Sequence, residues 1–150
     1  MACTPHKSNV PGDFYVEDGC CTSCGMPTTE APDLFEYDPD GHCYVRKQPT
    51  ATDEVDRMIL AFEVQDIGCI RYKGTDRAIQ IRLVESGEGE QCDVLNPDLK
   101  ERNAIVQAER AARFATWKAS QDLTGSASSH KSCGDPTVFR RFLHWLGIGA

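Results

Sequence analysis

The residues with the most chemistry to offer are eight cysteines in a chain of 150 residues. The tightest group is Cys21-Thr-Ser-Cys24-Gly25. Two thiols three positions apart can wrap one metal centre when the backbone between them turns tightly. A glycine after the second permits close approach and turns backbone N–H groups toward sulfur. One CxxC needs partners, and the candidates are Cys43 and Cys69. The first residues, Met-Ala-Cys-Thr-Pro-His-Lys, lack the basic, apolar and small-residue order of an export signal. A cytoplasmic location with cysteines kept as thiols is therefore expected, and a metal or redox site reads better than a disulfide framework.

The elements around these cysteines follow from turn chemistry and periodicity. Residues 1–12, with Pro5, Pro11 and Gly12, read as an irregular leader. Phe14-Tyr15-Val16 is a short β-prone run ended by Asp18-Gly19, and residues 20–26 form a small-residue loop. Pro27 opens at most one turn of helix before Pro32. Leu34–Tyr37 and Cys43–Val45 flank Asp38-Pro39-Asp40-Gly41, which has the composition of a hairpin turn. A helix follows Pro49, capped by Thr50 or Thr52, with Val55, Met58, Ile59 and Phe62 at helical spacing and an end near Asp66. Cys69–Tyr72 reads as a strand closed by Gly74. Residues 78–84 fit strand alternation almost as well as helix, and the capping signal at Thr75-Asp76 favours helix. A longer helix runs from Pro97 to about Gln121. A Ser/Gly-rich linker spans 124–134, and a last segment carries the apolar stripe Phe139, Phe142, Leu143 and Leu146.

Charge divides the chain. Residues 1–95 hold 8 Lys/Arg against 18 Asp/Glu, whereas residues 96–150 hold 8 against 5, within a net charge of −7. Seven of the eight cysteines share the acidic part; only Cys133 lies beyond it. A boundary is expected near Asn96-Pro97, giving a leader (1–12), a cysteine-bearing domain (13–95) and a helical extension (96–150). A 40% apolar content supports a core, and the acidic balance argues against nucleic-acid binding. No apolar run approaches the roughly 18 residues needed to cross a bilayer, so no membrane partner is expected.

Cys21-x-x-Cys24-Gly25, Ala31-Pro32-Asp33-Leu34-Phe35, Asp40-Gly41, a helix and then Cys69-Ile70 together resemble a single-cluster bacterial-type ferredoxin over residues 13 to 73. That family's motif runs CxxCGxCxxxCPxxF, then an acidic-glycine hairpin, then CPxxAI. The resemblance implies an α+β, ferredoxin-like small domain, here with a C-terminal helical extension. It implies cluster ligation by Cys21, Cys24 and Cys69. Pro27 stands where the family has its third ligand, Ala31 replaces the cysteine before the proline, and Ile70 replaces the proline after the last cysteine. Three ligands suit a 3Fe–4S cluster, or a 4Fe–4S cluster with one other ligand. Within that arrangement the hairpin arm packs beside the cluster, so Cys43 is the expected fourth ligand, with His42 as a second candidate. Strand alternation puts His42 and Cys43 on opposite faces, so at most one points at the site. Cys20 is a spare, or an alternative to Cys21.

Four cysteines also suit a structural zinc site, and cysteines pack in cores as small hydrophobes. Cys3, Cys92 and Cys133 have no partner at metal-ligand spacing. His6 and His130 read as solvated surface. The acidic groups Glu36/Asp38/Asp40 and Asp53/Glu54/Asp56 read as solvated faces that would steer redox proteins with a basic docking face. No nucleophile–base pair or phosphate loop is found, so an enzyme is not expected. The leading expectation is an iron–sulfur protein carrying one electron between a reductase and an oxidoreductase. The alternative is a degenerate ferredoxin scaffold with zinc or no metal, acting through protein contacts.

Overall fold

In the computed structural model, residues 3–124 are described, with side chains given as far as Gln121. The order is β1 (Phe14–Val16), α1 (Met26–Glu30), β2 (Phe35–Tyr37), β3 (Cys43–Val45), α2 (Thr52–Val64), β4 (Ile70–Tyr72), α3 (Arg77–Glu85), two 3-10 turns (Gly89–Gln91, Pro97–Leu99) and α4 (Lys100–Thr124). This is the expected mixture of helices and short strands. The linker beyond Thr124 and the Phe139–Leu146 stripe lie outside the described residues; Thr124 itself ends α4.

The strands pair in two antiparallel ribbons. β1 lies on β4 with Phe14 opposite Tyr72 and Val16 opposite Ile70; β2 lies on β3 with Phe35 opposite Val45 and Tyr37 opposite Cys43. Asp38 makes the β2–β3 turn, its Oδ1 accepting the N–H groups of Asp40 and His42, while Gly41 takes φ +81°. That left-handed conformation is one glycine adopts without a Cβ clash.

α2 covers the core with Met58, Ile59, Ala61 and Phe62. Its cap differs from expectation. Ala51 occupies the cap position, and Glu54 reaches back to accept N–H bonds from Thr50 and Ala51 while pairing with Lys47. Lys47 first, then these N–H groups, hold the Glu54 carboxyl down to about 2, against an ordinary 4.5. Because that value is depressed on folding, the contribution is complete above the ordinary value and is lost as pH falls toward 2. Urea midpoints measured from pH 5 to 2 should fall more steeply for the wild type than for Glu54→Gln.

α3 is a helix because Asp76 Oδ1 captures the N–H groups of Ala78 and Ile79. Its buried residues, Gln80, Leu83 and Val84, fall at helical spacing. Gln80 is buried at 1% exposure because it has work for both ends: Nε2 donates to the carbonyls of Gly74 and Val94, and Oε1 accepts from Asn96.

The leader is structured. His6 N–H donates to Val16 O, Val10 N–H to Val45 O, and Pro5 bridges Glu17. Asn9 links the two ribbons, which do not pair directly: its Oδ1 accepts from both Val16 N and Val45 N, and its Nδ2 donates to His6 O and Val16 O. Asn9→Ala leaves two strand N–H groups without acceptors, so a loss of about 2–3 kcal/mol is expected in urea denaturation.

Two compact units divide at Gln107, inside α4. Residues 96–107, placed with the extension by charge, pack on the first unit: Leu99 is buried, Arg102 pairs with Glu85, and Gln107 Nε2 donates to Gly87 O. In the described part of the second unit, Phe114 lies half-exposed with its ring 5.6 Å from that of Trp117. No helix among the described residues is long and apolar enough to cross a membrane.

Candidate metal centre

The hairpin, the CxxC loop and the segment after α2 meet at one pocket. Its walls include Cys21, Cys24, Pro27, Tyr37, Cys43 and Cys69, and it encloses about 310 Å³ including its open mouth. All four cysteines singled out from the sequence therefore line a single space. The Tyr37–Cys43 pairing turns Cys43 inward, where it is 3% exposed.

Local geometry aims the CxxC loop at Cys43. Ser23 adopts a left-handed φ of 56°. Its Oγ donates to Gly41 O at 2.6 Å and its N–H donates to Cys21 Sγ at 3.3 Å. Cys43 N–H donates to the same sulfur at 3.3 Å. Backbone N–H bonds of this kind stabilise a thiolate and tune an iron–sulfur centre. Ser23 was not visible as a functional residue in the sequence. The turn glycine serves differently from expectation: Gly25, at φ +79°, donates its N–H to Tyr37 Oη at 2.8 Å, not to sulfur.

Burial, then the nearby Cys21 and Cys24, pushes the Cys43 thiol up to about 12. A group of thiols this close becomes thiolate when a cation core neutralises the gathered charge. Cys24 is exposed, and Thr22, Asp66 and Ile67 also line the pocket.

Cys69 corrects the expectation that the cysteines are all thiols. Glu17 N–H donates to Cys69 O, continuing the β1–β4 ladder past Val16–Ile70. This brings the next loop close, and Cys20 and Cys69 form a disulfide with Cα atoms 5.6 Å apart. Cys20 is thus the partner of Cys69. Cys3, Cys21, Cys24, Cys43 and Cys92 are free thiols among the described residues.

His42 does not line the pocket; as alternation requires, it faces away from Cys43 and stacks on His6. His6 is buried at 7% exposure, contrary to its reading as surface. Of the acidic groups, Glu36, Asp40, Asp53 and Asp56 are exposed as expected, and two are not. Asp38 is nearly buried beside His6, Glu54 is buried at the start of α2, and Asp53 and Asp56 pair with Arg57 and Arg82. His130 and Cys133 lie outside the described residues.

The donor set fits a thiolate-ligated cluster. It comprises three free thiols, two N–H groups on Cys21 Sγ, and Cys69 as a fourth donor once its disulfide is opened. Fold and pocket together define a small α+β domain built around a cysteine-lined space. Residues 16–71 match the family model for the 4Fe-4S single cluster domain of ferredoxin I. The match contains every cysteine that lines the pocket and shows the single-cluster ferredoxin resemblance for this segment. Neither the curated proteins nor the solved structures gave a match.

Proposed function

We propose that this protein is an iron–sulfur electron carrier rather than an enzyme, with a 4Fe–4S or 3Fe–4S cluster held by Cys21, Cys24, Cys43 and Cys69. The observation that carries this reading is the convergence of these four cysteines on one pocket inside the ferredoxin-type segment. A bound cluster supplies a one-electron couple. Around it, Cys43 and Cys69 are the buried donors, Cys21 receives the backbone N–H bonds, and Cys24 lies at the exposed edge where a redox partner can approach. The role is one-electron transfer between a reductase and an oxidoreductase. The net charge of −7 favours partners with a basic docking face.

Anaerobic reconstitution in the presence of a dithiol, followed by iron and sulfide analysis, tests this reading. Stoichiometric iron and sulfide, with visible absorbance that bleaches on reduction, is expected. Colourless protein binding neither would overturn it.

One observation favours a second reading. With Cys69 tied to Cys20 and Pro27 in the place of a family ligand, three free thiols remain in the pocket wall, Cys21, Cys24 and Cys43. Such a scaffold could hold zinc or no metal and act through protein contacts. Zinc without sulfide in the same analysis would select it.

A further inference from the structure

A second group of donors lies outside the cysteine pocket, where the leader crosses the hairpin turn. His6, Asp18 and His42 each bring one ligand atom to within 4.8 Å of the others. The His6 and His42 rings stack with centroids 4.0 Å apart and planes 11° from parallel. We propose that His6, Asp18 and His42 form a site for a borderline divalent transition metal of the zinc class, distinct from the cysteine centre.

The state of His42 points to a ligand. Its Nδ1 lies 2.8 Å from Cys43 O, a contact that requires Nδ1 to carry the proton because a carbonyl only accepts. Nε2 is left as a bare lone pair, and it is buried with no hydrogen-bond partner. A ring N–H on a backbone carbonyl is the usual support of a metal-bound histidine, and it leaves the other nitrogen free for the ion.

His6 supplies the second nitrogen. Its Nε2 lies 3.8 Å from Asp18 Oδ1 and 3.4 Å from Asp38 Oδ2. Its Nδ1 accepts a long 3.4 Å bond from Ser8 N–H, so Nε2 carries the proton and points it at the two carboxylates. A cation there takes the place of that proton. The proton moves to Nδ1, and the long Ser8 bond is given up.

Asp18 is the exposed donor, with its side chain 59% exposed. Zinc bonds of about 2.0–2.2 Å place tetrahedral ligand atoms about 3.4 Å apart. Rotation of Asp18 and a tilt of the stacked rings close the site. Asp38 Oδ2 faces the same His6 nitrogen and adds negative charge beside the ion, its own Oδ1 fixed by the Asp40 and His42 N–H groups. Two histidines and one carboxylate are a ligand set for zinc, cobalt or nickel rather than for calcium or magnesium. An ion here would fasten the leader to the chain just before the cysteine loop and to the arm that carries Cys43.

Cobalt(II) titration of the full-length chain tests the proposal. Beyond any cobalt taken by the pocket thiols, whose signature is a sulfur-to-cobalt charge-transfer band, one further equivalent should bind with d–d absorption alone. His42→Gln and the exposed Asp18→Asn should each weaken it at least about tenfold. The triple variant Cys21→Ser/Cys24→Ser/Cys43→Ser should retain it. Undiminished binding in Asp18→Asn, or binding that disappears with the cysteines, would overturn the site. The outcome is independent of iron loading in the pocket.

Discussion

Cys43→Ser is expected to lose iron at least about tenfold more readily than the wild type and to fail to hold a stoichiometric cluster. Loss of a supporting residue around a metal ligand already costs about 10–100-fold in affinity. Removing the ligand itself sets that as a floor. A serine hydroxyl is a harder donor and a weaker acid than a thiol, so it replaces thiolate poorly on a soft iron–sulfur core. Cys43 is also the most buried of the three free pocket thiols, and its thiol is pushed up to about 12. Cluster assembly must therefore displace its proton, and each such proton makes loading weaker as pH falls. Cys3→Ser provides the control, because Cys3 does not line the pocket. Iron per chain, measured after anaerobic desalting, should fall in Cys43→Ser and stay unchanged in Cys3→Ser. Equal retention in both would remove Cys43 from the ligand set.

The parts legible in the sequence were those governed by local chemistry. The Asp38-Pro39-Asp40-Gly41 turn, the Asp76 cap and the helical spacing of Met58, Ile59 and Phe62 carry their signals within a few residues. The convergence of Cys21, Cys24 and Cys69 was legible by a different route, their match to a ferredoxin motif, and that of Cys43 through the hairpin arm expected to pack beside them. What escaped depends on contacts between segments far apart in the chain. Nothing near Asn9 signals that it satisfies N–H groups on two ribbons, and nothing near Ser23 signals that its Oγ meets Gly41 O. His6 reads as a loop residue until it meets His42, 36 positions away. The charge break at Asn96 was real, yet charge reports on the surface rather than on packing. Leu99, Arg102 and Gln107 still fasten the start of α4 to the first unit.

Cys20→Ser should change loading and stability in opposite directions. The Cys20–Cys69 disulfide closes a loop with a sequence separation of 49. Chain-entropy arguments give about 4 kcal/mol for a loop of that length. The cluster-free variant should therefore unfold in less urea than the oxidised wild type. The same bond ties up the Cys69 sulfur in the pocket wall. Freeing it takes a dithiol: the protein S–S bond gains two electrons and two protons and becomes two thiols, while the reductant closes its own disulfide. Cys20→Ser removes the partner, so Cys69 stays a thiol without that step. Under anaerobic conditions without dithiol, the variant should load iron fully and the wild type only in part; with dithiol the two should converge. An equal requirement for dithiol in both proteins would show that Cys69 is not what limits loading, and the fourth ligand would have to be sought elsewhere in the pocket wall.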